Sequence, residues 1–165
     1  MPFLIYTMSS ADKNLSTFST QGIANMQSKK IAIVVSEWNE QVTEALFQGA
    51  YETLIQYGVQ KSHIVRKNVP GTFELTLGAQ FMAQTQDIDA VICLGCVIQG
   101  ETKHFDFICQ AAAMGITEVG LKYNKPVIFG VLTPNTLQQA LDRSGGKHGN
   151  KGDEAAITAI KMLSF

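Results

Sequence analysis

Three segments of the chain are apolar at almost every position, and segments with a helical pattern lie between them. The three apolar segments are IAIVVS (31–36), DAVICLGCVI (89–98) and PVIFGVL (126–132). Because both alternating faces are apolar, each predicts a strand of a parallel sheet that helices cover on two sides. A fourth and more polar segment, HIVRKNV (63–69), predicts an edge strand.

Between the strands, apolar residues recur at helical spacing. The three periodic sets are Val42, Ala45, Leu46, Gly49, Ala50 and Leu54; Phe105, Ile108, Cys109, Ala112, Ile116 and Val119; and Ala156, Ala159, Ile160 and Leu163. Asn39 and Asn135 are predicted to cap the helices that follow them. Strands that alternate with helices predict an α/β fold, a three-layer sandwich with helices on both faces of a parallel sheet.

Composition limits the domain count and the classes of partner. A chain of 165 residues with 45% hydrophobic content is the size of one globular domain. The 13 basic and 14 acidic residues nearly balance, which argues against nucleic acid as a partner. Neither a signal peptide nor a membrane span is indicated, and we expect a cytoplasmic protein.

The cysteines and the N-terminal segment carry little chemistry. Cys93 and Cys96 lie three apart within one predicted strand, so their side chains point to opposite faces and predict core residues rather than a redox or metal pair. Residues 1–27 predict an arm and residues 28–165 the domain, with Met8 as an alternative natural start.

Ligands of open parallel sheets bind beyond the carboxyl ends of the strands, so the residues after each strand are the candidates. Trp38, the only tryptophan, follows the first strand and either stacks on a heteroaromatic ring or plugs the end of the sheet. Glu74 follows the edge strand and is either a helix cap or an acceptor for a polyhydroxy ligand.

The segment GETKHF (100–105) follows the central strand and outlines an anion site. Gly100 permits a close approach of the backbone, Glu101 and Thr102 supply N–H groups and a hydroxyl, and the positive end of a helix lies at the same place. His104 is suited to proton transfer beside such a site, although a lone histidine is often structural.

A second candidate site for phosphate, the basic segment DRSGGKHGNKGDE (142–154), follows the last strand. Arg143, Lys147 and Lys151 are spaced by four, but the glycines between them predict a loop that could hold phosphate. Solvent-exposed charge is the alternative, and it is the interpretation we favour for Lys147, His148 and His63.

Taken in order, these segments resemble the lumazine synthase family of riboflavin biosynthesis. The matching stretches within residues 30–163 are IAIVVSEWNE, NVPGTFELTLGAQ, AVICLGCVIQGETKHFDFI, KPVIFGVLT and ALDRSGGKHGNKGDEAA. The resemblance implies a flavodoxin-like sheet and a transferase that condenses 5-amino-6-(D-ribitylamino)uracil with 3,4-dihydroxy-2-butanone 4-phosphate. The product would be 6,7-dimethyl-8-ribityllumazine, with phosphate and water released and with neither a metal nor an organic cofactor.

The resemblance also implies roles for single residues. Trp38 would stack on the pyrimidine, Glu74 would accept ribityl hydroxyls and His104 would transfer a proton. Other pyrimidine and ribityl contacts would come from Asn39, Thr72, Phe73, Val97, Ile98, Phe129 and Lys151, with Glu154 nearby. The phosphate ligands would be Gly100, Glu101, Thr102 and the second catalytic residue, Arg143. In the family the neighbouring subunit supplies Phe129 and Arg143. Gln99 stands where the family commonly has a basic residue, which leaves the phosphate more dependent on Arg143.

Assembly is implied in the same way. Members of the family form pentamers, and some build a 60-mer shell from twelve of them. The loop GGKHGNKG (145–152) has no insertion, which favours the shell, with riboflavin synthase as a candidate partner inside it. The arm would pair with a neighbouring subunit.

Three other functions compete with the enzyme. A non-catalytic flavin or lumazine carrier would need the aromatic contacts but neither His104 nor Arg143, and a purely shell-forming protein would be expected to lack the phosphate site. A flavodoxin-type redox protein is disfavoured because its acidic loops and flavin phosphate motif are absent.

Overall fold

The computed structural model describes residues 19–165, and the four strands and three helices that the apolar pattern predicts are present within that range. The strands are β1 (Ile31–Ser36), β2 (Ile64–Val69), β3 (Ala90–Cys96), β4 (Val127–Leu132), β5 (Ser144–Gly146) and β6 (Gly149–Asn150). The helices are α1 (Glu40–Gln56), α2 (Leu75–Ala83), α3 (His104–Tyr123), α4 (Leu137–Arg143) and α5 (Lys151–Leu163), with 3-10 turns at Lys61–His63 and Thr72–Glu74.

The first four strands form one parallel sheet in the order β2-β1-β3-β4. The predicted edge strand is β2, which lies at one end of this order. The sheet has two buried sides because alternate residues of β1 belong to different clusters. Ile31, Ile33 and Val35 pack with α1 and α5, whereas Ala32 and Val34 pack with α2 and α3. The predicted three-layer α/β sandwich is confirmed.

Cys93 and Cys96 are core residues on opposite sides of the sheet, as predicted. Burial raises the pKa of the Cys93 thiol to about 12. Burial, with a smaller contribution from Cys109, raises the pKa of the Cys96 thiol to about 11. Both thiols are therefore neutral near pH 7, which removes the thiolate on which redox and metal chemistry depend.

Neither of the two predicted helix caps makes a side-chain capping bond, although Asn39 occupies the cap position of α1. Asn39 precedes α1, but its side chain makes no capping bond to that helix. The cap of α4 is Thr136 rather than Asn135, because Thr136 is extended and its hydroxyl accepts a hydrogen bond from the Gln139 backbone N–H at 3.2 Å. Asn135 instead donates its backbone N–H to the Gln139 side chain.

The basic loop is more ordered than the glycines suggested. A small antiparallel hairpin, β5 and β6, connects α4 to α5, so Arg143 ends one helix and Lys151 begins the next. Lys147 is exposed and pairs with Asp142 at 3.3 Å, in agreement with the solvated interpretation. His63 differs from that interpretation, because its Nδ1 is buried without a hydrogen-bond partner among the described residues.

The end of the predicted arm packs on the domain. Met26 is 2% exposed and belongs to the core on the α1 and α5 side, and the Ala24 backbone N–H donates to Ser164 Oγ at 3.0 Å. The rest of the predicted arm, residues 1–18, lies outside the described residues, so its pairing with a neighbouring subunit stays a prediction. Within residues 19–165, none of the helices has the length and apolar character needed to cross a membrane.

Candidate active site

A cavity of about 680 Å³ opens at the carboxyl ends of β1, β2 and β3, where the fold predicts a ligand site. We name it the Trp38 cavity. Its lining residues are Trp38, Asn39, Gly71, Thr72, Phe73, Glu74, Cys96, Val97, Ile98, His104 and Ile108. Eight of the residues proposed from the sequence thus lie around one opening.

Two aromatic side chains that line this cavity are largely exposed to solvent. Trp38 is 74% exposed and Phe73 is 56% exposed, although large aromatic side chains are usually mostly buried. The Trp38 backbone N–H donates to Pro70 O at 3.1 Å, which ties the connection after β1 to the one after β2. The high exposure excludes the interpretation of Trp38 as a plug for the sheet and leaves its face free to stack.

Glu74 fulfils the cap role that its position predicts. Its Oε2 accepts a hydrogen bond from the Gly71 backbone N–H at 3.0 Å, which closes the turn that carries Thr72 and Phe73. A carboxylate has roughly four lone-pair positions, so this bond leaves acceptor capacity directed at the cavity. The cap and ligand-acceptor interpretations are therefore compatible.

The predicted anion site lies in the exposed turn between β3 and α3. Thr102 Oγ1 accepts a hydrogen bond from the His104 backbone N–H at 3.3 Å, and α3 begins at His104. A Cβ placed on Gly100 would have no heavy atom within 4 Å, so the space above this backbone is open. His104 itself is exposed and reaches the Trp38 cavity.

A second cavity, of about 640 Å³, runs along the outer edge of β4. We name it the Arg143 cavity. The side chains that line it beside the strand include Phe129, Gln139, Arg143, Lys151, Glu154 and Thr158. Arg143 Nη1 donates to Gln139 O at 3.0 Å, and Lys151 Nζ contacts Glu154 Oε1 at 2.7 Å. A cation thus faces this cavity with its position set by the last turn of α4.

The residues proposed from the sequence are therefore divided within one subunit. Among the described residues, those around the Trp38 cavity and those around the Arg143 cavity form separate sets. Phe129 lies in the middle of β4, paired with Cys93, and so not at the strand ends where His104 lies. The two predicted catalytic residues, His104 and Arg143, are on different surfaces of the same chain.

Sequence reasoning missed several lining residues. Ile108 was assigned to the apolar stripe of α3, but it lies one turn after His104 and forms part of the cavity wall. Gln139 and Thr158 line the Arg143 cavity through the faces of α4 and α5. Helical spacing from His104 would have indicated Ile108, whereas no local signal distinguishes Gln139 or Thr158.

No group of three or more His, Cys, Asp and Glu side chains in the described part of the chain could hold a metal ion.

Comparison with known proteins gives a consistent match. The family model described as 6,7-dimethyl-8-ribityllumazine synthase matches residues 28–165. A protein of that name from Cytophaga hutchinsonii is 66% identical over 95% of this chain and 98% of its own length. Proteins of the same name from Parabacteroides distasonis and Flavobacterium johnsoniae are 52% and 56% identical, over 96% and 94% of this chain and 99% and 82% of their own lengths.

Proposed function

The chain belongs to the 6,7-dimethyl-8-ribityllumazine synthase family, and from that premise we propose that it condenses ribitylaminouracil with butanone phosphate to 6,7-dimethyl-8-ribityllumazine. The observation that carries the proposal is that Trp38, Glu74 and His104 line one cavity at the carboxyl ends of parallel strands. An aromatic face, a carboxylate and a proton-transfer group suit a site that stacks a pyrimidine ring, accepts ribityl hydroxyls and transfers a proton.

The pyrimidine binds in the Trp38 cavity. Its ring stacks on the exposed face of Trp38, and Val97 and Ile98 form the opposite wall. Glu74 accepts hydrogen bonds from ribityl hydroxyls with the lone pairs that the Gly71 bond leaves unused. Thr72 and Phe73 complete the surface against the ribityl chain.

The butanone phosphate binds with its phosphate at Gly100, Glu101 and Thr102, before the positive end of α3. Arg143 of a neighbouring subunit supplies the cation for the phosphate, and Phe129 and Lys151, which line the same cavity as Arg143, complete the pyrimidine site. The separation of the two cavities within one chain supports this arrangement, because a head-to-tail ring brings two different surfaces of successive subunits together.

The first chemical step joins the two substrates. The amine nitrogen attacks the ketone carbon, water leaves and a C=N bond forms. Holding both reactants in one pocket converts an encounter in solution into a reaction within a complex, which can remove about 7 kcal/mol or more of the barrier.

The second step releases phosphate. His104 accepts a proton from the carbon between the imine carbon and the carbon that bears phosphate, and the C–O bond to phosphate breaks as an enol double bond forms. Arg143 and the backbone N–H groups of the turn stabilise the charge on the leaving phosphate. The enol becomes a ketone, the ribityl-bearing nitrogen attacks it, and a second water leaves as the ring closes.

The assay follows lumazine fluorescence after purified protein is mixed with both substrates, beside His104→Ala and Arg143→Ala. The histidine variant is expected to lower kcat by about a hundredfold or more. The arginine variant is expected to raise KM for the butanone phosphate by about tenfold or more, with little change for the pyrimidine, because one charge-assisted contact to phosphate is lost. Turnover at the uncatalysed rate with tight flavin binding would instead indicate the carrier.

Mixed assemblies test whether two subunits share the site. Co-assembly of equal amounts of the His104→Ala and Arg143→Ala variants, assayed at butanone phosphate well below the KM of the arginine variant, should restore wild-type turnover at about one quarter of the sites, because each site draws one half from each of two neighbouring subunits. A site formed within one subunit would show no recovery, and each variant re-assembled alone is the control.

Assembly and location are further parts of the proposal. A pentamer would bring the two cavities of neighbouring subunits together. The short connection at 145–152 favours a 60-mer shell, and riboflavin synthase is the candidate partner inside such a shell. Exposed apolar residues on α2 and α3 support burial against further copies of the chain. The cytoplasmic location stays a prediction.

A further inference from the structure

Asn39 has an unusual backbone conformation beside Trp38. Its φ is 60° and its ψ is 46°, in the left-handed region that few residues other than glycine adopt. Asn39 and Asn124 are the two non-glycine residues with positive φ in the described part of the chain. The chain therefore turns sharply between the end of β1 and the start of α1.

The side chain of Asn39 connects two strand ends. Its Nδ2 donates a hydrogen bond to Cys96 O at 2.8 Å, and Cys96 is the last residue of β3. The backbone pairing of β1 with β3 extends only to Val35 and Leu94. The Asn39 amide thus joins the two strands beyond the point where their ladder stops.

Residues from both walls of the Trp38 cavity are the chain neighbours of the two residues that this hydrogen bond joins. Trp38 directly precedes Asn39, and Val97 directly follows Cys96. Because the Trp38 ring is 74% exposed, few packing contacts hold it, and its direction depends on the backbone at 38 and 39. A Cβ placed on Gly71 would lie 3.3 Å from Trp38 Cδ1, so the ring passes close to the backbone of Gly71.

We infer that Asn39 is a positioning residue, whose side-chain amide holds the ends of β1 and β3 together and so sets the Trp38 ring opposite Val97 and Ile98. This role differs from the ligand contact that the resemblance implies for Asn39. The inference rests on the proposed function for the identity of the ring that enters between these walls. A gap of constant width lowers the ordering cost of binding a flat ring.

Trp38 provides the readout, because it is the only tryptophan in the chain. Asn39→Gly keeps a residue suited to positive φ but removes the amide. Asn39→Asp keeps the side-chain size and tolerance of this backbone, but places an acceptor against the Cys96 carbonyl. We expect both variants to lower the fluorescence anisotropy of Trp38 in the free protein. We also expect both to weaken binding of the ribityllumazine product by about tenfold, since a preorganised gap is lost.

Asn124→Gly is the matched control. It replaces the same residue type in the same backbone region, at the far end of the 20-residue helix α3, about 30 Å along the helix from His104. Its Trp38 anisotropy and product affinity should equal those of the wild type. Circular dichroism and sedimentation of all variants establish that each is folded and assembled.

Three outcomes overturn the inference. Unchanged anisotropy with lost affinity would make Asn39 a ligand contact, and loss of anisotropy in the glycine variant alone would assign the effect to backbone freedom. Unchanged values in both variants would mean that the hydrogen bond has no positioning role. Failure of the wild type to bind the product would contradict the proposed function, while the anisotropy of the free protein would still decide the role of Asn39.

Discussion

Thr72 lines the Trp38 cavity and packs closely against Gly95 of β3. A Cβ on Gly95 would lie 2.7 Å from Thr72 Oγ1 and 2.9 Å from Leu75 Cδ1, so a larger residue would force these side chains to shift. Thr72 Oγ1 is buried and has no hydrogen-bond partner among the described residues. A hydroxyl in this state adds nothing to stability unless a ligand pairs with it.

Substitution of Thr72 separates these two possibilities. Thr72→Val keeps the shape and removes the hydroxyl, so the free energy of unfolding should stay the same or rise by up to about 1 kcal/mol. Urea denaturation measures this change, and a titration with the product measures affinity. Loss of affinity at unchanged stability would assign the hydroxyl to ligand binding. A fall of more than about 1 kcal/mol in the free energy of unfolding would contradict the absence of a partner. Thr117→Val is the comparison with a partnered hydroxyl, because Thr117 Oγ1 donates to Ala113 O at 2.8 Å, and it should lose stability.

At the scale of elements, the edge strand β2 is attached to α1 by an ion pair. Arg66 donates to both carboxylate oxygens of Glu44, with Nη1 at 2.9 Å from Oε2, and its guanidinium lies 4.3 Å from the centre of the Phe47 ring. The hydrogen bond from Arg66 lowers the pKa of the Glu44 carboxyl below its usual 4.5. The ionised form is therefore favoured in the folded state.

The sign of the pH dependence follows from this shift. A carboxyl whose pKa is lower in the folded state adds stability above its unfolded pKa and loses it as the pH falls through the folded value. Glu44→Gln should cost less than about 1 kcal/mol at pH 7, because both side chains are partly exposed. The cost should disappear below the folded pKa. Thermal unfolding of the wild type and of Glu44→Gln between pH 7 and acid pH measures this cost, with Glu118→Gln at an exposed position of α3 as the control. A cost that persisted in acid would contradict the ion-pair account.

At the scale of the whole molecule, the outer faces of α2 and α3 carry more exposed apolar surface than a free subunit would be expected to present. The large exposed side chains there are Leu77, Phe81, Phe107, Met114 and Leu121. Neighbouring copies of the chain are the occupants that the proposed shared site would require.

A charge on this surface should disrupt assembly and activity together. Phe81→Glu places a carboxylate on α2 where the aromatic ring is 52% exposed, so the subunits should separate while circular dichroism stays unchanged. Sedimentation measures the assembly, with Phe165→Glu as a control at a fully exposed position. Wild-type protein that sediments only as pentamers would overturn the shell, and an active monomeric variant would overturn the shared site.

The sequence by itself determined the four strands of the parallel sheet, the three longest helices and eight of the residues that line the Trp38 cavity. Runs such as IAIVVS are apolar on both faces because helices cover each strand on two sides, so the run by itself indicates a buried strand. The carboxyl ends of parallel strands also meet at one edge of the sheet. Trp38, Glu74 and His104 could therefore be placed together before any coordinates. Only the exposure of the Trp38 side chain could decide whether the ring plugs the end of the sheet or is open to a ligand.

Only the tertiary structure decided which residues fail to meet within one subunit. Arg143 and His104 lie on different surfaces because β4 forms the outer edge of the sheet and the β5–β6 hairpin directs Lys151 along that edge. It also decided that Asn39 binds Cys96 O rather than capping α1, because the left-handed turn aims the amide at β3. Such pairings join residues far apart in the chain, and local propensity carries no information about them.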